Sequence, residues 1–188
     1  GISADKRKYN VNYVDYIEDK SIVWIDTKNN PNRFEQNIGR TKQNNFEAEI
    51  IFELLEKLEL NNIENNIDNK DVGIIAGYSA QKNLLNKILL SKYENKFNTL
   101  SIEIDTVDAF QGRETDIVIY SIVRSNEDGE IGFLRDERRL NVALSRAKEL
   151  LVLVGDSKCV TSKASKNPFN DVHKFIEDNY EECKVIEV

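Results

Sequence analysis

The chain has 188 residues, 40% of them hydrophobic and 31% charged, and 26 Lys and Arg against 33 Asp and Glu give it a formal net charge of −7. This length and balance suit one ordinary globular domain with a full core. No apolar run approaches the ~20 residues of a membrane span and no signal-peptide pattern opens the chain, so no membrane partner is expected and a cytoplasmic protein is the default. Cys159 and Cys183 lack CxxC spacing and His173 is the single histidine, which gives no metal site and no disulfide framework; both cysteines read as free thiols. The negative charge argues against a polyanionic partner on its face, yet six of the nine arginines fall between residues 113 and 146, so distribution outweighs the sum. There is no methionine, not even an initiator, and the chain reads as a piece of a longer polypeptide.

Residues 1–20 are polar, tyrosine-rich and without steady period, and are expected to form an irregular lead-in to one domain over residues 21–188. Ser21 to Asp26 is a short apolar strand, followed by the breaker cluster Asn29-Asn30-Pro31-Asn32, which begins a loop. Asn44 or Asn45 caps a helix from Phe46 to Leu60, with Ile50, Ile51, Leu54, Leu55 and Leu58 as its apolar stripe. The Asn-rich stretch 61–69 reads as a loop.

Asp71 to Gly77 is a nearly continuous apolar strand, and a helix follows from Ala80 to Tyr93. Further strands are expected at Leu100 to Asp105, Thr115 to Val123 and Glu149 to Val154. A helix from Asp136 to Ala147 precedes the last of these, and a final helix near Asn170 to Asn179 leads to a strand-like Lys184 to Val188. Buried strands alternating with helices predict an α/β domain in three layers, with a mostly parallel sheet covered on both faces. The pattern alone leaves RecA-like, Rossmann-like and flavodoxin-like sheets open.

Two segments carry chemistry. Asp108-Ala109-Phe110-Gln111-Gly112-Arg113-Glu114 lies in a connection between strands, where backbone can meet a ligand. The helix from Asp136 carries Arg138, Arg139 and Arg146; Leu140, Ala143, Leu144 and Ala147 would face the sheet while Arg139 and Arg146, seven apart, would share an exposed face. No G-x-x-x-x-G-K-[ST] occurs, and no Asp-Glu pair ends an apolar strand, so the chain lacks a P-loop of its own.

Val107 to Glu114, Val123 to Asn126, Gly132 to Leu134, Arg138 to Lys148 and Leu150 to Gly155 together resemble motifs V and VI of superfamily I helicases, in the branch of the nonsense-mediated-decay RNA helicase and the Dna2-type helicase-nucleases. Thr41 to Ala48 is similar to that family's Ser-x-x-Asn-x-x-Glu-Ala helix opening, and Tyr78 to Lys82 to its motif IV. The resemblance spans roughly residues 20 to 155. It selects the RecA-like (P-loop NTPase-like) sheet and implies the second motor domain of an ATP-dependent helicase. ATP and Mg2+ would then be bound mainly by a preceding RecA-like domain of the same polypeptide, and the isolated chain would not turn over ATP.

The same resemblance implies roles for single residues. Arg146 matches the arginine finger and Arg139 would position it or contact phosphate. Gly112 would bring its backbone near the γ-phosphate, Glu114 would bind a ribose hydroxyl, and Gln111 would relay between nucleotide and nucleic acid. Thr106, Arg124, Ser125 and Asn126 are the candidates for backbone contacts to single-stranded DNA or RNA, and Tyr78 serves either strand contact or core packing. Ala76-Gly77 replaces the Thr-Pro many members carry before that tyrosine, and Lys82 replaces an arginine, keeping charge but losing the fork. The resemblance also implies 5′-to-3′ polarity. A nonenzymatic nucleic-acid-binding or docking module from a degenerate helicase is the alternative.

Overall fold

The computed structural model describes residue 17, residues 19–161 and residues 167–188. The expected lead-in therefore lies almost wholly outside the described residues. In chain order the elements are β1 (Ile22–Asp26), β2 (Gln36–Ile38), β3 (Thr41–Gln43), α1 (Asn45–Glu64), β4 (Lys70–Ala76), α2 (Ser79–Lys92), β5 (Leu100–Thr106), β6 (Thr115–Ser121), a 3-10 turn (Gly132–Arg135), α3 (Glu137–Leu144), β7 (Ala147–Gly155), α4 (Ser157–Thr161), α5 (Pro168–Asp178) and β8 (Cys183–Glu187). Among these, no helix is long and apolar enough to cross a membrane.

Six strands form one sheet in the order β5-β4-β6-β7-β1-β8, and every pairing is parallel. The central strands read as unbroken apolar runs because both of their faces are covered. Alternate residues go to opposite cores. Val23, Ile25, Ile74, Ile117, Ile119 and Val152 pack with the α1 stripe of Ile51, Leu54, Leu55 and Leu58. Trp24, Ile75, Val118, Tyr120 and Leu153 pack on the other face with Phe110, Leu140, Leu144 and Phe169.

Four local outcomes differ from the sequence reading. α1 continues through Asn61 and Asn62, both fully buried, instead of ending at Leu60. Tertiary bonds override weak helix propensity there: the Glu59 carboxylate accepts from Asn98 N, Thr99 N and Thr99 Oγ1 and ties the last turns to the strand beyond. α3 is capped by Asp136 and stops at Leu144, so Arg146 lies outside the helix. Its carbonyl accepts from Thr115 N at 3.1 Å, which draws the chain into the sheet ladder one residue before β7 begins. β6 ends at Ser121, and Val123 turns to φ +70°. Residues 36–43, which fall between the loop expected to begin at Asn29 and the first residues of the Thr41 to Ala48 helix-opening pattern, form an antiparallel hairpin whose first strand is wholly exposed.

The sheet order sets where polar groups collect. From β4 the chain goes out to β5 and then crosses back to β6 on the other side of β4, so connections diverge at the carboxyl ends of β4 and β6. That divergence opens a crevice at the edge, the usual ligand position in open parallel sheets. Thr106, Ala76, Ser121 and Val154 stand side by side along this edge. At the amino ends, Thr115 pairs with Ala147.

The connection from β5 to β6 crosses the sheet face between these edges, and Phe110, fully buried, anchors it over Gly73. A Cβ at residue 73 would stand 2.7 Å from Phe110 Cε1 and 2.9 Å from Thr115 Oγ1. A fully buried ring has nowhere to give, so Gly73→Ala should lower stability by about 1–3 kcal/mol, the usual cost of overpacking. A urea titration reads this as a lower midpoint at unchanged slope. An unaltered midpoint would mean that Phe110 does not sit on that glycine.

Candidate functional site

The carboxyl edge is organised by a buried acid. Glu47, at the start of α1, is fully buried, and both of its oxygens accept from Val123 N, at 2.9 and 2.8 Å. Ser121 Oγ donates to Glu47 at 2.7 Å. Asn44 caps α1 by accepting from Glu47 N, and donates its amide to Val123 O and to Arg33 O. Gln81, from the start of α2, accepts from Asn44 N and donates to Asn44 O and Ser121 Oγ. A β-branched residue at positive φ costs on the order of 1–3 kcal/mol and persists only where its surroundings fix it. Both peptide groups of Val123 are bonded by α1, and this sets the direction of residues 124–126.

Beyond Val123, Arg124 turns inward, 7% exposed, with Nε on Glu35 at 2.8 Å and Nη1 on Tyr78 Oη at 3.1 Å. Glu35 also accepts from Ser125 N, Asn126 Nδ2 and Lys42 Nζ. Burial opposes ionisation of Glu35, but the bonds from Lys42, Arg124 and Asn126 outweigh it and hold the carboxyl below its ordinary range. Ser125, fully buried, donates to Asp156, which also pairs with Arg33. Tyr78 is buried against Phe133, with ring centroids 4.4 Å apart. Thr106 remains partly exposed beside Asp105, whose pairing with Lys82 holds its carboxyl low. The structure thus brings Tyr78, Arg124, Ser125 and Asn126 into one bonded unit. Of these, Asn126 is the most exposed.

The expected nucleotide residues form a separate group toward the amino ends of β6 and β7. Gln111, Gly112 and Glu114 are all exposed; Gly112 has φ +84°, and a Cβ there would meet nothing within 4 Å. Arg146 is held by neutral oxygens: Nε donates to Val142 O at 2.9 Å, Nη2 to Ser145 Oγ at 2.8 Å and Nη1 to Arg113 O at 3.4 Å. Arg139 does not share a face with it, contrary to the helical spacing, because α3 ends between them. It lines a shallow cleft with Gly77, Thr106, Phe133 and Asp136, and its guanidinium lies 3.2 Å from Asp108. Arg139 thus belongs with the carboxyl edge and the start of the crossing connection.

Sequence reasoning missed Glu35 and Asp156 as organisers of the site. No spacing signal marks them, since each works across 89 and 31 residues to Arg124 and Ser125. Glu47 and Asn44 fall within the Thr41 to Ala48 pattern, but nothing in the sequence marks Val123 as their target.

A three-layer domain with an all-parallel sheet, polar groups gathered at its carboxyl edge and a pinned arginine at the amino end of β7 is the RecA-like class of architecture. The family model described as AAA domain (AAA_12) matches residues 1–158. The DNA polymerase alpha-associated DNA helicase A of Saccharomyces cerevisiae is 41% identical over 138 residues, which cover 72% of this chain and 19% of that protein. The Drosophila melanogaster regulator of nonsense transcripts 1 homolog is 41% identical over 123 residues, 64% of this chain and 10% of that one. The Xenopus laevis DNA replication ATP-dependent helicase/nuclease DNA2 is 46% identical over 86 residues, 45% and 8% respectively. The chain belongs to the AAA_12 family, and the relatives it matches are named as DNA helicases and as a regulator of nonsense transcripts. It spans a fifth or less of the length of these relatives.

Burial raises the Glu47 pKa from 4.5 to about 8, against the lowering effect of the Ser121 and Val123 hydrogen bonds. Between about pH 4.5 and about pH 8 the folded protein therefore holds a proton that the unfolded chain has released. The stability this confers is complete below pH 4.5, falls as pH rises toward 8 and is gone above it. Glu47→Gln keeps an acceptor and cannot titrate, so the stability difference between wild type and this variant should shrink across that window in urea titrations at successive pH values. Glu47→Ala strands Val123 N and should lower stability by about 1–3 kcal/mol at every pH. A difference between wild type and Glu47→Gln that stays constant with pH would show that Glu47 titrates normally.

Proposed function

We propose that this chain is the second motor domain of an ATP-dependent helicase. In this reading it completes the ATP site formed with a preceding RecA-like domain, and it binds the backbone of a DNA or RNA single strand. The single observation that carries the reading is Arg146. Among the described arginines, Arg33, Arg113, Arg124, Arg135 and Arg139 have carboxylate partners, whereas Arg146 is fixed by carbonyl and hydroxyl oxygens alone. Its position is defined and its charge is not neutralised, which are the two properties of a group that stabilises charge on a transferring phosphoryl.

The open approach at Gly112 fits a bound triphosphate, and the exposed Glu114 carboxylate fits a ribose hydroxyl. Bound ATP would supply the phosphoanhydride whose γ-phosphoryl is transferred to water. In this scheme Arg146 donates to the γ-phosphate oxygens, the Gly112 backbone lets the phosphates come close, and Gln111 lies between the two groups of sites. Magnesium and the phosphate cradle fall to the other motor domain, since this chain has no Gly-rich phosphate loop. At the carboxyl edge, Thr106 and Asn126 supply the strand contacts, with Arg124, Ser125 and Tyr78 holding the surface in shape. Arg139 acts there through Asp108 instead of assisting Arg146.

ATP hydrolysis by the full-length parent, measured with and without single-stranded DNA or RNA, tests this. Wild type should be stimulated by the strand, and Arg146→Ala should lose about 10³-fold or more in kcat with nucleotide binding retained. Equal turnover by the variant would remove the finger role, and a wild type inactive with either strand would remove the motor reading.

A further inference from the structure

The β2–β3 hairpin is a feature that the motor reading leaves unused. It contributes nothing to either core: Gln36, Asn37, Ile38, Gly39 and Arg40 are all exposed. Gly39, at φ +60°, opens the two-residue connection that closes it, and Arg40 follows at the tip. A two-stranded ribbon is marginal by itself, yet this one is clamped at its base. Thr41 Oγ1 accepts from Ala80 N and Ser79 Oγ at the start of α2, and Glu35 binds Arg124, Ser125 N and Asn126.

Its chemistry is that of a polyanion contact. From residue 27 to residue 46 the sequence carries Lys28, Arg33, Arg40 and Lys42 against Glu35; Lys28 pairs with Asp26 and Glu187, Arg33 with Asp156 and Lys42 with Glu35, which leaves Arg40 as the cation of the ribbon turned to solvent. The one acid faces inward, where Lys42 and Arg124 neutralise it. Arg40 is exposed and has no carboxylate partner among the described residues. Ile38, 46% exposed, stands two residues before it at the turn, and Phe34, 38% exposed, lies at the base of the ribbon with the Arg33 guanidinium 4.2 Å from its ring centre. An arginine for phosphate next to an apolar surface for a base face is the combination that holds single strands without reading sequence. The clamp through Glu35 makes this surface continuous with Asn126.

We propose that the hairpin is an additional binding site for the nucleic-acid single strand, with Arg40 contacting a phosphate and Phe34 and Ile38 offering apolar surface to the bases. The inference rests on the motor reading, because the strand is the ligand that reading supplies to the adjoining edge.

The experiment is fluorescence anisotropy of the full-length parent with fluorescein-labelled oligo(dT) and oligo(U), over a series of salt concentrations. Arg40→Ala should weaken binding about two- to fivefold and reduce the slope of log K against log salt by about 0.7, one phosphate contact to a single strand. Arg40→Glu should weaken it further, and the thermal midpoint of both variants should match wild type, since Arg40 is exposed and has no carboxylate partner among the described residues. Wild-type affinity and slope in both variants would overturn the hairpin site while leaving the motor reading intact. A wild type that binds neither oligonucleotide would overturn both.

Discussion

The carboxyl edge of this domain depends on one buried carboxyl group. Glu47 reaches from the first turn of α1 to bond Val123 N with both oxygens, and so holds a β-branched residue at φ +70°. An unsatisfied buried N–H and a strained backbone would each disfavour that turn. The turn sends Arg124 back toward Tyr78 and Glu35, and Ser125 toward Asp156. The Arg124 and Ser125 side chains are thereby bonded within the protein. The fully buried Glu47 is itself costly to ionise, and donors from the α1 cap, Asn44, and from the end of β6 and just beyond it, Ser121 and Val123, offset part of that cost.

What the sequence made legible follows from the range of the interactions. Apolar runs such as Ile117 to Tyr120 and Leu150 to Val154 report burial on two faces, and residue-by-residue alternation between cores explains why they carry no polar period. The motif segments were legible as well, because their residues are close in the chain. Boundaries set by distant partners were not. α3 ends where Thr115 N captures Arg146 O, and α1 outlasts its asparagines because Glu59 bonds residues 98 and 99. The hairpin has no apolar alternation to announce it. Its pairing is defined by Gly39 at the turn and by side chains that clamp its base from Ser79, Arg124 and Asn126.

The same distinction explains the split of the site residues. Helical spacing put Arg139 and Arg146 on one surface, but a helix ending two residues before Arg146 places them with different neighbours. Arg139 joins Asp108 and Thr106 at one end of the crossing connection, and Arg146 meets Arg113 O at the other. Phe110, pressed on Gly73, fixes the middle of that connection. The two groups of residues are therefore joined by one short, anchored stretch of chain. In the proposed motor this stretch is the physical link between the nucleotide residues and the strand residues, and it requires no contact between the groups themselves.

Charge completes the argument. An acidic protein suppresses stray anion binding, so a cation meant for an external anion has to be kept from its own carboxylates. Most arginines here are quenched: Arg33 by Asp156, Arg124 by Glu35, Arg139 by Asp108. Arg146 is restrained by Val142 O, Arg113 O and Ser145 Oγ, which orient a guanidinium without cancelling its charge. Arg40 is unquenched for a different reason, since it stands at an exposed turn where no acid among the described residues pairs with it. Fixed by carbonyls in one case and free on a clamped ribbon in the other, the two arginines suit different anions. A phosphoryl group in transfer requires a preset donor geometry, and a sliding phosphate backbone is better met by a charge that can follow it.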